Sequence, residues 1–235
     1  MWLIAEYEAA TLFSLKLSSA TASGGKTLLV PTPFAIKMAL LDAACRVMGV
    51  TEAERLWPQM RDLQVAIRPA AATVVTNLFQ KVLKPNRNPP PPGSPDAGPF
   101  QRTIAYREYA QLFGALGLAL GWQADQPITW LDTLLINVNY LGKRGSFMQL
   151  TKAPERAAEL PDDFVVATVD QVDYKLGGTL QLLDDCTSTL SFARANIYSD
   201  EKIRMGKERV LRNIVLPCRL TRSSKSFSLY ERFDG

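Results

Sequence analysis

The sequence predicts an α+β domain with its helices gathered on one face of a sheet. Two observations carry this. The order legible along the chain is strand, helix, several strands, helix, several strands. The 235 residues, 47% of them apolar, are also enough to bury one core without staples.

Met1 to Leu17 reads as the opening strand, its apolar residues interrupted by Glu6 and Glu8. Ser18 to Thr27 is small, polar and glycine-containing, a loop ending in Gly24-Gly25-Lys26-Thr27. The run Ala20 to Thr27 matches a relaxed phosphate-binding loop, but that chemistry needs a helix starting at the Lys-Thr pair. Here Pro31 and Pro33 hold the following chain extended, so nucleotide binding is rejected and Lys26 is kept as a contact to a bound backbone. Thr32 and Pro33 then serve as N-cap and first residue of a helix through Met48, with Ile36, Leu40, Ala43, Ala44 and Val47 on one stripe. Gly49 stops it, and a second helix runs from Thr51 to about Arg61.

Gln64 to Arg68 and Thr73 to Val82 are strands. Pro85 to Pro99 holds seven prolines in fifteen residues and cannot join a regular element. Phe100 to Phe113 alternates as a strand, so the two flanking runs make a long hairpin projecting from the body. Ala115 to Trp122 is an apolar strand with Leu116, Leu118 and Leu120 alternating; Thr129 caps a helix from Trp130 to about Asn139. Tyr140 to Phe147 (YLGKRGSF) is a turn with Lys143 and Arg144 between glycines, leading into a strand through Leu150. Lys152 to Asp163 is a charged excursion, Phe164 to Val169 a strand, Asp170 to Ser191 irregular, and Phe227 to Phe233 a closing strand. These pieces suggest one ferredoxin-like α+β sandwich over residues 1–235, with an insertion at about 73–109 whose proline-rich tip is 85–99.

Charge is concentrated near the end. Lys202 to Lys225 carries eight basic residues against Glu208, a net +7 in a chain of net +4, so the remainder sums to −3. Such a block calls for a polyanion or the acids of a neighbouring subunit. Arg209 to Leu216 alternates as a strand and sends charges to both of its faces; a solvated edge strand bearing gatekeeper charges is the competing explanation. The hairpin combines Arg87, Arg102 and Arg107 with Phe100, Tyr106 and Tyr109, the mixture that grips a single strand by charge and stacking; an ordinary hairpin with surface aromatics is the competing explanation.

The chain has no histidine, which removes Ser-His and Cys-His nucleophile pairs, histidine metal sites and the usual general base near neutrality. Cys45, Cys186 and Cys218 are odd in number and far apart, supporting neither a disulfide framework nor zinc. No cofactor or metal is expected. A reducing, cytoplasmic setting fits, with no signal peptide and no membrane span.

Taken together, the Val30-Pro-Thr-Pro-Phe-Ala-Ile-Lys37 entry into the first helix, the Arg107-Glu108-Tyr109 segment and the Tyr140 to Phe147 turn resemble the CRISPR-associated protein 5 family. This is the RAMP-superfamily subunit of type I Cascade complexes. The resemblance implies an RRM-like fold, a noncatalytic role capping the 5′ handle of the crRNA, and the hairpin as a thumb. It implies as partners the guide RNA, the Cascade backbone subunit and the large subunit, with target DNA near the protospacer-adjacent motif within reach. Candidate RNA contacts are Lys26, Lys37, Arg107, Tyr109, Lys143, Arg144, Lys202, Arg204, Lys207 and Arg209. Some relatives cleave precursor RNA with a Tyr, Lys and His set, which this chain cannot complete. The alternatives are an endoribonuclease using Tyr106, Tyr109 or lysines, the capping subunit of a type III effector, and a scaffold that contacts only protein. The glycine-rich C-terminal loop frequent in the superfamily is not evident.

Overall fold

The structure is a computed structural model and describes residues 1–16, 24–95, 97–123, 128–171 and 177–233. Its main sheet takes β1 (Trp2–Ala9), β3 (Gln64–Arg68), β6 (Leu116–Gly121), β7 (Met148–Leu150) and β9 (Val165–Val166) in the order β7-β1-β6-β3-β9, with β8 (Glu155–Ala157) also pairing to β1. Every neighbouring pair is antiparallel.

The alternation in Leu116 to Gly121 explains how the central strand is buried on both faces. Leu116, Leu118 and Leu120 enter the main core, each at 1% exposure or less; burying a leucine fully stabilises by about 1.5–3 kcal/mol. Gly117, Ala119 and Gly121 face the other way, beneath a smaller cluster containing Trp2 and Phe164. A Cβ added at Gly117 would lie 2.7 Å from the Phe164 ring, and one at Gly121 2.7 Å from Trp2, so the missing side chains are what seat those rings.

Helices α1 (Pro33–Met48), α2 (Val50–Asp62) and α3 (Leu131–Asn137) contribute to the same core as the leucine face. Thr32 caps α1 as its sequence predicts, its hydroxyl accepting from the Ala35 N–H at 3.1 Å, and Gly49 ends it with φ of +86°. Pro58 lies inside α2 without ending it; Ala53, Leu56, Trp57 and Met60 are buried around it. The Tyr7 hydroxyl donates to the Leu135 carbonyl at 2.6 Å, tying β1 to α3. At the start of α3 it is Trp130, not Thr129, that occupies the cap position, with no side-chain bond to the helix.

A second sheet, β12-β13-β4-β5-β2, is built from β12 (Cys218–Ser223), β13 (Phe227–Arg232), β4 (Ala72–Pro85), β5 (Phe100–Phe113) and β2 (Gly24–Gly25). β4 and β5 pair in unbroken register from Ala72 opposite Phe113 to Pro85 opposite Phe100, while β13 accompanies β4 only as far as Thr76. Beyond that the two strands run on as an arm, closed by the proline-rich connection. The arm continues the β3–β6 pair, since Arg68 opposite Gly117 is followed after a short break by Ala72 opposite Phe113.

Two further expectations are corrected. The opening strand ends at Ala9, because the chain after it spends its backbone groups on other segments. Asp170 to Ser191, expected to be irregular, contains β10 (Thr179–Cys186), which pairs along its whole length with β11 (Arg209–Leu216). Short α4 (Phe192–Ala195) follows β10. Of the relaxed phosphate-loop match at Ala20 to Thr27, residues 20–23 lie outside the described residues.

Candidate nucleic-acid interface

The segment Thr11 to Lys16 joins three parts of the chain distant in sequence. Its Thr11 hydroxyl donates to the Gly145 carbonyl at 2.6 Å and accepts from the Phe147 N–H at 3.1 Å. Phe13 and Ala110 exchange both backbone hydrogen bonds, at 2.7 and 2.6 Å, and the Ser14 hydroxyl donates to the Glu108 carbonyl at 3.2 Å. The Leu15 N–H donates to the Thr27 hydroxyl at 3.1 Å, and the Thr27 N–H to the Glu108 carboxylate at 2.9 Å. One short segment thereby holds the Tyr140–Phe147 turn, the root of the arm and the glycines before Thr27 side by side.

Six of the sequence candidates fall along this assembly or the cleft beside it. Lys26 is exposed and follows Gly25, which pairs in parallel with Arg107 on β5. Arg107 is half-buried, as is Tyr109, whose hydroxyl is 3.5 Å from Gln80 Oε1. Lys143 and Arg144 are exposed at the tip of the turn, where Gly142 and Gly145 take φ of +77° and +98°. Arg209 lines the same cleft as Arg144, its guanidinium 3.8 Å over the Phe34 ring.

The cleft has a volume of about 570 Å³. Its walls are one side of α1 from Phe34 to Cys45, the Tyr140 to Arg144 turn, and the chain from Phe192 to Tyr198, and Lys16, Asp42, Arg144, Asp184 and Arg209 all reach it. Burial raises the Tyr140 hydroxyl pKa above its usual value; Asp42 adds to the rise and the Arg144 hydrogen bond opposes it.

The other four candidates sit differently. Lys37 is 2% exposed, its ammonium 2.7 Å from Asp185 Oδ1, so its charge is held inside the fold rather than offered at the surface. Lys202, Arg204 and Lys207 are exposed in the loop that precedes β11 and closes around the buried Glu208. Glu208 accepts from the Arg204 guanidinium at 2.5 Å and from its backbone N–H at 2.9 Å. The Arg204 hydrogen bond holds the Glu208 carboxyl far below the usual carboxylate range, at about 2.

The basic block is therefore less bare than its sequence suggests. Arg209 pairs with Asp184, and Arg212 lies 3.3 Å from Asp170 and 3.6 Å from Asp185. Charges do go to both faces of β11, Arg209 with Asp184 on one and Arg212 with Asp185 on the other. Asp184, Phe34 and Tyr198 escaped the sequence reading. The acidic pair had a signal, Leu-Gln-Leu-Leu running into Asp184-Asp185-Cys186, but two adjacent carboxylates broke the alternation that marks a strand.

Among the described residues no helix is long and apolar enough to cross a membrane, and no group of three or more His, Cys, Asp or Glu could hold a metal ion. No family model matches the chain. The CRISPR-associated protein Cas5 of Archaeoglobus fulgidus is 26% identical over 205 residues, covering 85% of this chain and 86% of that protein. Among solved structures, a chain of a CRISPR RNA-guided surveillance complex superposes with a TM-score of 0.51 at 18% identity, covering 92% of this chain and 90% of the other. A crystal structure of a CRISPR protein from Archaeoglobus fulgidus gives a TM-score of 0.49 at 12% identity over 99% and 92% of the two chains. The surveillance-complex chain shares the fold, and the sequence match covers most of both proteins: the chain is a homologue of the CRISPR-associated protein Cas5 of Archaeoglobus fulgidus.

Proposed function

We propose that this chain is the noncatalytic RNA-binding subunit of a type I CRISPR effector, capping the 5′ handle of the crRNA. The observation that carries the reading is the junction made by Thr11 to Lys16, which sets Lys26 and Arg107 at the arm root beside Lys143 and Arg144 on the glycine turn. Cations there would meet phosphates, glycine backbone would allow close approach, and guanidinium and aromatic groups would stack on splayed bases.

The platform is read as ferredoxin-like. Its support is the order β7-β1-β6-β3, with α1 and α2 between β1 and β3 and α3 between β6 and β7. The arm, Thr73 to Tyr109, acts as the thumb. Phe79, Leu83, Phe100 and Ile104 lie on one of its faces, each more than half exposed, and supply the apolar surface that a backbone subunit would cover. The large subunit and target DNA near the protospacer-adjacent motif are the further partners of this role. The sequence contains no histidine, which supports leaving precursor cleavage to another protein.

The test is copurification with repeat-derived RNA, followed by a 5′-to-3′ exonuclease. The wild type should retain a defined small RNA and shield its 5′ end, and Lys143→Glu with Arg144→Glu should release it. Unchanged retention in that double variant, or an unprotected 5′ end, overturns the capping role. Cleavage of repeat RNA by the purified protein would replace it with the endoribonuclease reading.

A further inference from the structure

We propose that the cleft between α1, the Tyr140 to Arg144 turn and the Asn196 to Tyr198 segment holds one unstacked nucleotide whose base carries an exocyclic amine, with Asp184 as the acceptor for that amine. The proposal rests on the RNA-binding role above and deepens it by assigning a base-reading site.

The first observation is a carboxylate oxygen without a donor. Asp184 lines the cleft and is 3% exposed; Arg209 occupies its Oδ2, while Oδ1 is buried and has no hydrogen-bond partner. A buried carboxylate oxygen left unsatisfied is unfavourable, and a bound N–H group would complete it. An apolar side chain inserted by a protein partner would leave it as it is, so this atom favours a hydrogen-bonding occupant.

The second observation is a stacking platform. The Arg209 guanidinium, 3.8 Å over Phe34 and tethered by Asp184, forms a planar cationic surface beside that oxygen. Bases splayed out of a strand stack on such guanidinium planes and on aromatic rings. From the rim Tyr198 offers a second ring at 90% exposure, and Arg144 reaches the same cleft with charge for a phosphate, on the side where Asp42 is already paired with Arg46. A volume of about 570 Å³ falls within the range of sites that enclose small ligands.

The experiment compares single-stranded RNA octamers in matched pairs differing only by the amine: adenosine against purine riboside, cytidine against pyrimidin-2-one riboside, guanosine against inosine. In the wild-type protein one pair should separate by about tenfold in Kd, as expected for a hydrogen bond to a charged group. Asp184→Asn should remove the separation. Tyr198→Ala, at a position with almost no packing to lose, should weaken the preferred octamer by about tenfold through loss of stacking. If Asp184→Asn does not fold, the wild-type pairs and Tyr198→Ala decide alone. Equal affinity within all three pairs, a separation that persists in Asp184→Asn, or wild-type binding by Tyr198→Ala overturns the proposal while the RNA-binding role stands. Failure to bind any octamer overturns both.

Discussion

The Lys37 ammonium lies 2.7 Å from Asp185 Oδ1, with both side chains almost wholly buried, at 2% and 3% exposure. This pair fastens α1 to β10 beneath the cleft, and the same Oδ1 also accepts from the Cys186 N–H at 2.7 Å. Removing Lys37 would leave the buried Asp185 carboxylate with only the Arg212 guanidinium, 3.6 Å away, so Lys37→Met should cost about 3 kcal/mol in urea unfolding. Adding Asp185→Leu should recover part of that loss, because the buried carboxylate is then gone while Arg212 keeps Asp170 at 3.3 Å.

Glu208 makes the loop before β11 sensitive to acid. Its folded pKa of about 2 lies below the ordinary 4.5, so the pair with Arg204 contributes its full stabilisation above pH 4.5 and loses it as pH falls through about 2. The stability gap between the wild type and Glu208→Gln should accordingly be full at pH 6 and shrink steadily across that window. Thermal unfolding at a series of pH values reads it, and a gap independent of pH would contradict the assignment.

Gly142 should tolerate no side chain. Its φ is +77°, and an added Cβ would meet Leu15 in the segment that holds the turn to the arm root. Gly142→Ala should cost at least about 1–2 kcal/mol from the left-handed backbone alone. Leu15→Ala in the same chain should relieve the clash but not the backbone term, which unfolding of the single and double variants would separate.

Arg144 should contribute to RNA binding through counterion release. If it meets a phosphate, Arg144→Ala should lower the slope of log Kd against log salt concentration by about 0.7. A weaker complex with an unchanged slope would place its contribution in base contact instead.

The three thiols should label in a fixed order. Burial pushes Cys186 up to about 12 and Cys218 up to about 11, and both are buried in the native fold. Cys45 is only partly buried and lines the cleft. At pH 8 a thiol reagent should therefore take Cys45 first and the other two only on unfolding, with bound RNA slowing the first reaction.

What could be read from the sequence was what local chemistry decides. Thr32 and Pro33 start α1 whatever surrounds them, and the prolines between Pro85 and Pro99 leave the flanking strands no partner nearer than each other. The opening strand was overextended because the residues after Ala9 look like strand but bond sideways to Phe147, Ala110 and Thr27. The site was only half legible. Lys143 and Arg144 announce themselves between glycines, but nothing near Arg209 indicates that Asp184 neutralises it or that Phe34 lies under it. Lys37, plausible beside the helix entry, faces inward because the carboxylate of Asp185 is there to receive it.

The arm's rooting has a mechanical consequence. Its two strands continue into β3 and β6, neighbours near the middle of the main sheet, rather than hanging from a loop at the rim. A push on Phe79 is thus directed along β4 toward β3, and one on Phe100 along β5 toward the leucines of β6, as a lever bears on its fulcrum. Whatever grips the far end therefore bears on the sheet against which α1 is packed.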